Sequence, residues 1–190
     1  MEYRILREEE IELPLFEKFI RRQAVEDCWR REEGKWVIRK DPFIDDWTKK
    51  DYIFLVDCLK NTVRTGGVVF GAFEDGALKG FASVEGQPFG SKNQYLDLTC
   101  LHASADMRRK GIGKKLLSLA ARWAGEKGAE KLYISSHSAA ETQAFYRGMG
   151  CVDTAEPRRE HVETEPFDCQ LELAVDAVGK TKIRQGGAGQ

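Results

Sequence analysis

Long apolar runs are missing from this 190-residue sequence. No segment stays apolar over the roughly 20 residues that a helix needs to cross a bilayer. The N-terminal residues Met1–Arg7 also lack the apolar core of a signal peptide. We therefore expect a cytoplasmic protein without a membrane partner.

A charge excess of either sign is missing as well. The 30 basic and 31 acidic side chains give a formal net charge of -1, so the chain has no broad basic field of the kind that attracts nucleic acid. We expect no nucleic-acid partner. The densest basic cluster, residues 108–115, is of a size that suits a small anionic ligand.

Cysteine and histidine are sparse and scattered. There are three histidines, and the cysteines are odd in number and form no C-x-x-C pair, so neither a disulfide framework nor a zinc site is indicated. The five cysteines are Cys28, Cys58, Cys100, Cys151 and Cys169. We expect reduced thiols and no bound metal.

The length fits one domain with a single hydrophobic core. We predict that this domain covers residues 1–175. Residues 176–190 are predicted to form a loose tail, because the stretch that contains Gly186-Gly187-Ala188-Gly189 has no periodicity.

Hydrophobic periodicity predicts the elements of the first third of the chain. A short strand covers Tyr3–Leu6, and apolar residues at helical spacing predict an amphipathic helix from about Leu13 to Arg31. The stretch Gly34–Trp47 follows neither period and is predicted to be a structured loop. A second helix begins at a cap, Asp46 or Thr48, and ends at a Thr-Gly-Gly segment.

From Val68 the period changes to two. Two strands joined by an Asp75-Gly76 turn predict a hairpin, and a later strand, helix and parallel strand form a β-loop-α-β crossover. The predicted elements are strands at 68–73, 77–84 and 94–103, a helix at 114–127, a strand at 131–135, a helix at 139–149, a strand around Cys151 and a last strand at 167–174. The full predicted order is β-α-α-β-β-β-α-β-α-β-β.

A basic, glycine-containing loop precedes the helix at 114–127. Its residues Arg108–Gly113, with the sequence RRKGIG, place backbone N–H groups and positive charge at a helix start, which suits a pyrophosphate. A Walker loop would need glycine at Arg108 and serine or threonine at Lys115, and a dinucleotide fingerprint would need glycine at Leu116. Both of these phosphate motifs are therefore excluded.

The Arg-x-x-Gly-x-Gly pattern of Arg108–Gly113 resembles the acetyl-CoA signature of the GNAT acetyltransferase superfamily. The segment Ala144–Cys151 looks like the family's Phe-Tyr-x-x-x-Gly-Phe segment, and the predicted element order is the family's order. The resemblance covers residues 3–173. Two positions depart from the pattern: Ala139 stands where many members have a cofactor-binding asparagine, and Cys151 replaces a phenylalanine.

The resemblance implies an α/β (α+β) fold with a central, mixed, mostly antiparallel twisted sheet of about seven strands and helices on both faces. It implies acetyl-CoA as the cosubstrate. Dimers are frequent in the family, so a homodimer is an open alternative. The implied cofactor-binding positions are the backbone of Leu101, His102 and Ala103 on a bulged strand, and the loop residues Arg108, Arg109, Lys110, Gly111, Ile112, Gly113 and Lys114.

Two residues are predicted to carry the chemistry. Tyr146 is the predicted general acid, because a phenol with a pKa near about 10 can protonate a thiolate whose conjugate acid has a pKa near about 8.5. The alternative is that Tyr146 only packs its helix on the sheet.

Asp97 is the predicted base. It lies eleven residues before Arg108, where some family members carry a catalytic glutamate, and an aspartate between two leucines in a strand is unusual. It would act directly or through water, and a structural hydrogen bond is its alternative.

Three further residues are candidates for catalysis. Glu85, at the end of a hairpin strand, is placed to hold the substrate cation or to take its proton. His137 has an ordinary pKa that suits a base. Cys100 invites an acetyl-cysteine intermediate, but strand alternation puts it opposite Asp97, in the core, unless a bulge reverses the parity.

Two stretches that pair acids with bulky side chains, residues 29–47 and 156–166, are the candidates for the acceptor site. Asp45, Asp46 and Trp47 of the first stretch predict an electronegative mouth for a cationic amine; solvated loops are the alternative. The second stretch contributes Glu160, His161 and Glu163.

We therefore predict an N-acetyltransferase that moves acetyl from acetyl-CoA directly to a primary amine of a small molecule, of the polyamine or aminoglycoside and antibiotic type. Three alternatives stay open. They are a protein N-terminal or lysine acetyltransferase, a non-catalytic acyl-CoA sensor with the same fold, and an interaction module that stacks through its tryptophan-containing loop.

Overall fold

The structure is a computed structural model that describes residues 1–176, and the predicted tail lies outside this range apart from Asp176. Short 3-10 turns lie at Glu8–Glu10, Leu13–Phe16 and Ala105–Met107. In chain order, the strands and helices are β1 (Glu2–Ile5), β2 (Arg22–Glu32), β3 (Lys35–Asp46), α1 (Lys49–Arg64), β4 (Val68–Glu74), β5 (Ala77–Val84), β6 (Tyr95–Ala103), α2 (Ile112–Glu126), β7 (Lys131–Ser136), α3 (Ala140–Gly148), β8 (Val152–Asp153), α4 (Arg159–Thr164) and β9 (Cys169–Ala174).

The main sheet contains seven strands in the order β1-β4-β5-β6-β7-β9-β8. β6 and β7 are parallel, and every other neighbouring pair is antiparallel. This mixed, mostly antiparallel sheet confirms the predicted fold class and the predicted parallel crossover through α2.

Helices cover both faces of the sheet. On one face, Leu116 and Leu117 of α2 and Tyr146 of α3 pack into a core with β4 to β7 and β9. On the other face, Leu55 and Leu59 of α1 pack into a second core with Leu6, which follows β1, and with residues of β4 and β5. No helix within residues 1–176 combines the length and the apolar character that crossing a membrane would require.

The region before α1 corrects the sequence prediction. The predicted helix Leu13–Arg31 is wrong, because its beginning forms only a 3-10 turn and Arg22–Glu32 is strand β2. The predicted loop Gly34–Trp47 is wrong as well, because Lys35–Asp46 is strand β3. The two strands pair with each other in a separate two-stranded hairpin.

An irregularity in the β2–β3 ladder interrupts the alternation of β3, the segment that was predicted to be a loop. Val25 pairs with Phe43 and Asp27 with Lys40, so β3 contains one extra residue next to Pro42, which has no N–H group to give to a ladder. The apolar residues that predicted a helix lie mostly before β2, and the buried side chains of β2, Val25 and Cys28, also lie three residues apart. The apolar residues in question are Leu13, Phe16, Phe19, Ile20 and Ala24.

The remaining elements agree with the predicted types and differ in their bounds. Thr48, not Asp46, caps α1: its N–H donates to the Asp51 carboxylate at 2.6 Å, as in a capping box. α2 begins two residues before the predicted start, and β9 begins two residues after its predicted start. The late loop contains a short helix, α4, that the sequence did not predict.

Strands β6 and β7 separate towards their C-terminal ends. Their parallel pairing joins Tyr95, Leu96 and Asp97 to Lys131–Tyr133, and no pair follows. A parallel sheet that opens in this way leaves a gap lined by backbone from both strands. We call this gap the wedge.

β6 also carries a bulge next to the wedge. Leu98 pairs with Val84 and Cys100 pairs with Ser83 on β5, so Thr99 is an extra residue. Cys100 therefore lies against the α1 core, on the side of Asp97. The bulge reverses the simple alternation.

Candidate active site

A groove of about 610 Å³ runs along the first turn of α2. It contains every predicted cofactor-binding residue except Lys110, whose Nζ lies instead 3.2 Å from the Met107 sulfur. The wall comes from the end of β6, the loop before α2, the first turn of α2 and the face of α3. The residues that line it include Leu101, His102, Ala103, Arg108, Arg109, Gly111, Ile112, Gly113, Lys114, Phe145 and Tyr146.

The start of α2 presents N–H groups without helical partners. Gly111 caps the helix with a φ of 82°, a left-handed conformation that glycine adopts without steric cost. The first helical hydrogen bond runs from the Lys115 N–H to the Gly111 carbonyl at 3.0 Å. The N–H groups of Ile112, Gly113 and Lys114 precede it and have no backbone partner within residues 1–176. Together with the positive end of the helix dipole, they suit a phosphate group.

The cations of the loop differ in how they are held. Arg108 donates from Nη2 to the carbonyl of Arg22 on β2 at 2.6 Å, so it ties the loop to the hairpin. Arg109 is exposed and lies 3.7 Å from Glu141, and Lys114 is exposed as well. Arg108 is the fixed charge, and the two exposed cations are free to follow an anion at the mouth of the groove.

The wedge holds a cavity of about 190 Å³ that shares Leu101, His102, Ala103 and Tyr146 with the groove. Tyr146 is 7% exposed. Its hydroxyl has no hydrogen-bond partner in the described part of the chain, and burial raises the pKa of the phenol far above its ordinary value. Tyr146 is therefore protonated at any ordinary pH and retains its proton for donation.

A cavity of about 600 Å³ lies on the α1 side of β6, and we call it the acidic cavity. Its charged lining groups within residues 1–176 are Asp51, Glu85 and Glu165, and neither lysine nor arginine lines it. It shares Thr99 and His102 with the wedge. A ligand in this cavity therefore reaches the wedge from the side opposite to the groove, in a strongly negative environment.

His102 stands between the wedge and the acidic cavity. Its ring packs on Trp47 at 4.8 Å and on Phe81 at 5.2 Å. Burial, together with the positive charges of Arg21 and Arg108, lowers the pKa of His102 to about 3. The ring is thus neutral at physiological pH and adds no positive charge to the acidic cavity.

A side cavity of about 450 Å³ adjoins the acidic cavity and shares Glu85 and Thr99 with it. Asp97 lines the side cavity with only 3% of its side chain exposed. Its Oδ2 interacts with His161 Nε2 at 2.6 Å and accepts a hydrogen bond from Arg158 Nη1 at 3.2 Å. Its Oδ1 is buried without a partner within the described residues.

Comparison with known proteins identifies the family. A model of the acetyltransferase (GNAT) family matches residues 16–151, which is more than half of the chain. The chain is a GNAT-family acetyltransferase. No curated protein sequence matches it significantly.

Solved GNAT structures share the fold over nearly the whole chain. A nourseothricin acetyltransferase superposes with a TM-score of 0.68 at 17% identity, covering 92% of this chain and 98% of its own. A Bacillus anthracis strain Ames protein assigned as a streptothricin acetyltransferase, in complex with acetyl coenzyme A, gives 0.69 at 13% identity and covers 91% and 97%. A ribosomal-protein-alanine N-acetyltransferase from Brucella melitensis gives 0.57 at 19% identity and covers 92% and 99%.

The predicted substrate-binding residues of this GNAT enzyme divide into two groups. Glu85 and Trp47 line the acidic cavity. Asp45 forms an ion pair with Arg21, and Asp46 lies 3.9 Å from Arg22. Neither aspartate lines the acidic cavity or the side cavity. Their charges are instead close to the arginines at the start of the hairpin, Arg21 and Arg22.

Two other catalytic candidates have structural partners. The Nδ1 atom of His137 accepts a hydrogen bond from the Ala139 N–H at 3.0 Å, so this ring caps the start of α3. Burial raises the pKa of the Cys100 thiol to about 11, which leaves almost no thiolate at neutral pH. This agrees with direct acetyl transfer rather than an acetyl-cysteine intermediate.

Two residues near the cavities were not predicted from the sequence to have these positions, Arg21 in the wedge and His161 beside Asp97. Arg21 lines the wedge and lies over the Trp47 ring at 5.2 Å, but it belongs to a segment that was predicted to be helical. His161 was included only in a polar loop. The unpredicted helix α4 brings it to Asp97, which precedes it by 64 residues.

Proposed function

We propose that this GNAT enzyme transfers the acetyl group of acetyl-CoA directly to a primary amine of a small cationic molecule, of the polyamine or aminoglycoside and antibiotic type. One observation carries the proposal. The groove at α2 shares lining residues with the wedge, and the wedge shares lining residues with the acidic cavity. Within residues 1–176, the charged groups that line the acidic cavity are all carboxylates. A donor with a phosphate end and an acceptor with a positive end would meet at the wedge.

On the donor side, we assign the pyrophosphate of acetyl-CoA to the N–H groups of Ile112, Gly113 and Lys114, with Arg108 and Arg109 beside it. The pantetheine arm would follow the groove to the wedge. There, the backbone of the bulged strand β6 would polarise the thioester carbonyl, as in the family.

Tyr146 would donate the proton that the leaving thiolate needs. The residue lines both the groove and the wedge, so it lies where the sulfur must pass. Because the hydroxyl has no hydrogen-bond partner within the described residues, its proton is not committed to the protein. A phenol so placed supports a catalytic enzyme over an acyl-CoA sensor.

On the acceptor side, Trp47 and Phe54 add aromatic faces to the carboxylates of the acidic cavity. Aromatic faces and carboxylates together bind ammonium groups. The names of the two antibiotic acetyltransferases described above support this acceptor class. Asp51, Glu85 and Glu165 would favour an acceptor with several positive charges over a peptide N-terminus, which carries one.

A protein N-terminal amine is the second candidate, because the ribosomal-protein-alanine N-acetyltransferase has the same fold. The third alternative, a stacking module, has less support. Trp29 and Trp36 pack on each other at 5.8 Å, and the Trp36 indole donates to Asp153 at 3.0 Å. These aromatic side chains are therefore used inside the molecule.

Thiol release tests the proposal. The purified protein is mixed with acetyl-CoA and one amine at a time: a polyamine, an aminoglycoside, a streptothricin, an alanine-initiated peptide and a neutral hydrophobic amine. We expect release with the polycationic small molecules and a rise in melting temperature with acetyl-CoA alone. Stabilisation without release from any amine would favour the sensor, and release with the peptide only would favour the N-terminal acetyltransferase.

Three accompanying properties are also proposals. We propose a cytoplasmic location, no membrane or nucleic-acid partner, and activity that survives dialysis against a chelator because no metal takes part. Light scattering on the purified protein decides between a monomer and the homodimer that is frequent in the family.

A further inference from the structure

The short helix α4 carries a histidine onto the buried carboxylate of β6. His161 Nε2 lies 2.6 Å from Asp97 Oδ2. Because Asp97 is nearly inaccessible and Arg158 also donates to Oδ2, the carboxylate is held as a hydrogen-bond acceptor. The proton of the imidazole ring is thereby directed to Nε2.

The rest of the imidazole is held in place and partly open. The ring stacks on Tyr133 at 5.6 Å with an angle of 23° between the planes. The Tyr133 hydroxyl accepts a hydrogen bond from the Arg158 N–H at 2.8 Å, which anchors the start of α4. Nδ1 has no hydrogen-bond partner within residues 1–176, and 29% of the side chain is exposed at the side cavity.

The side cavity leads to the place where the amine must react. Glu85 and Thr99 line both the side cavity and the acidic cavity, and Thr99 also lines the wedge. An ammonium group that leaves the acidic cavity for the wedge therefore passes Thr99, which lines the side cavity together with His161. The extra residue of the β6 bulge, Thr99, thus lies at the junction of the three cavities, where its hydroxyl interacts with the Ser83 hydroxyl at 2.7 Å.

Within the function proposed above, we propose that His161 is the general base that deprotonates the acceptor ammonium, and that Asp97 is a positioning residue that fixes the ring and its tautomer. The aspartate that the sequence predicted as the base acts through the histidine. This inference rests on the proposed acetyl transfer.

The proton and bond changes balance as follows. Nδ1 of His161 takes one proton from the ammonium and releases it to solvent at the open edge of the ring. The neutral nitrogen forms a bond to the thioester carbonyl carbon, and the carbon–sulfur bond breaks. Tyr146 gives its proton to the thiolate, and the surplus proton on the new amide nitrogen restores the phenol. One proton reaches solvent and one reaches sulfur.

The neighbouring candidates are less suited to this role. Asp97 itself has Oδ2 occupied and Oδ1 buried. Glu85 accepts a hydrogen bond from the Thr62 hydroxyl at 2.6 Å, and Nδ1 of His137 is occupied by the Ala139 N–H. Among these groups, His161 combines a free basic nitrogen with a fixed orientation.

The charges around His161 determine the direction of its titration. The hydrogen bond to Asp97 raises the pKa of His161 above its ordinary value, and burial and the charge of Arg158 oppose this rise only in part. The base must be neutral, so kcat/KM should rise with pH through an acid limb above about 6.5. The titratable or charged groups that face the ring or its cavity lie just after β5, on β6 and β7, at the start of α4 and in the loop after it: Glu85, Asp97, Tyr133, Arg158, Glu160 and Asp168.

The test measures pH profiles of kcat/KM with acetyl-CoA and the best amine of the panel. We expect His161→Gln to lower kcat by about 10² to 10³-fold and to remove the acid limb, with the KM for acetyl-CoA unchanged. His137→Gln is the matched control, since it removes a histidine that caps a helix, and it should keep the limb. In Asp97→Asn, the limb should move to lower pH, because the carboxylate that raises the pKa of His161 is gone.

A second variant separates chemistry from folding. In His161→Ala, added imidazole should restore part of the lost rate, because the side cavity of about 450 Å³ has room for the free ring. An unchanged acid limb in His161→Gln, or the absence of rescue in a folded His161→Ala protein, would overturn the assignment while the acetyl transfer of the wild type still stood. If the wild type acetylates no amine, the proposed function falls, and the base assignment falls with it.

Discussion

At the scale of single residues, the surroundings of Tyr146 determine whether a phenol can act as the acid. Burial raises the pKa of Tyr146, which taken alone makes it a weaker acid. The thiols that interact with it show the same effect, since burial raises the pKa of Cys100 to about 11 and that of Cys151 to about 12. A thiolate formed beside Tyr146 in the wedge would be destabilised in the same direction, so burial acts on the acid and on the leaving group alike.

The Tyr146→Phe substitution tests this acid directly. It removes the hydroxyl and keeps the ring that packs against the core. We expect kcat to fall by about 10² to 10³-fold, while the Kd for acetyl-CoA changes by less than about twofold. Steady-state thiol release and calorimetric binding measure the two quantities. Tyr3→Phe removes a partly buried hydroxyl that lines neither the groove nor the wedge, and it should change neither quantity. An unchanged kcat in Tyr146→Phe would contradict the assignment.

Asp168 is a half-buried carboxyl whose charge should cost stability. Burial raises its pKa from 3.8 to about 6, and the Ser135 hydroxyl at 3.3 Å only partly opposes this shift. The folded protein therefore binds the proton more tightly than the unfolded chain does. The contribution of Asp168 to stability is therefore most favourable below about pH 4 and is lost as the pH rises towards 6.

The Asp168→Asn variant should consequently be more stable than the wild type by about 1 kcal/mol at pH 7.5, after allowance for solvent screening. The two proteins should be equally stable near about pH 4. Urea unfolding at both pH values gives the free energies. Asp153→Asn is the opposite case, because Arg147 and Trp36 bind that carboxylate and its pKa is lowered despite some burial; it should lose stability at pH 7.5. A stability gain for Asp168→Asn that does not depend on pH would refute the explanation.

At the scale of elements, the sequence predicted those segments whose period is undisturbed. α1 has a cap and a glycine stop, β4 and β5 have an Asp-Gly turn, and α2 follows a glycine in a left-handed conformation. The β2–β3 hairpin could not be predicted in the same way. The extra residue next to Pro42 interrupts the alternation of β3, and the buried residues of β2 lie three apart. The turn of the hairpin, Glu33-Gly34, also lacks the asparagine or aspartate that usually marks such a turn.

The turn of this hairpin supplies a matched pair of substitutions. Glu33 and Gly34 both have positive φ, 48° and 80°, between the paired residues Glu32 and Lys35. Gly34→Ala should cost about 1 to 2 kcal/mol from backbone strain alone, because an added Cβ would meet nothing within 4 Å. Glu33→Asn should instead stabilise the protein by a few tenths of a kcal/mol, roughly, since asparagine tolerates this conformation.

Thermal unfolding measures both variants. We expect a decrease in melting temperature of about 2 to 8 °C for Gly34→Ala and a small increase for Glu33→Asn. Equal and small effects of the two would mean that the hairpin end does not contribute to global stability.

At the scale of the whole molecule, the two halves of the site differ in how far apart their residues lie along the chain. The donor half is mostly local: the loop at Arg108–Gly113 and Tyr146 follow one another around a single crossover, and sequence motifs identify both. The proposed acceptor half, the acidic cavity, joins Trp47 and α1 to Glu85, Thr99 and the late loop. Such a set has no spacing that a sequence can reveal, so the acidic cavity and the contact between His161 and Asp97 emerged only from the fold.

Glu165 tests whether the acidic cavity selects cations. It lies just after α4, its N–H donates to the His161 carbonyl at 2.8 Å, and it lines the cavity. Glu163, two residues earlier, pairs with Arg159 and does not line the cavity. Glu165→Gln should raise the KM of a polycationic acceptor by about 3 to 10-fold at low salt, with kcat unchanged, and Glu163→Gln should have little effect.

The difference in KM between the two variants should shrink as ionic strength rises, because salt screens the lost attraction. Steady-state kinetics at two salt concentrations measure this, and an acceptor without a second positive charge should respond least. Equal KM values for the two variants at low salt would show that the carboxylates of this cavity do not recognise the acceptor.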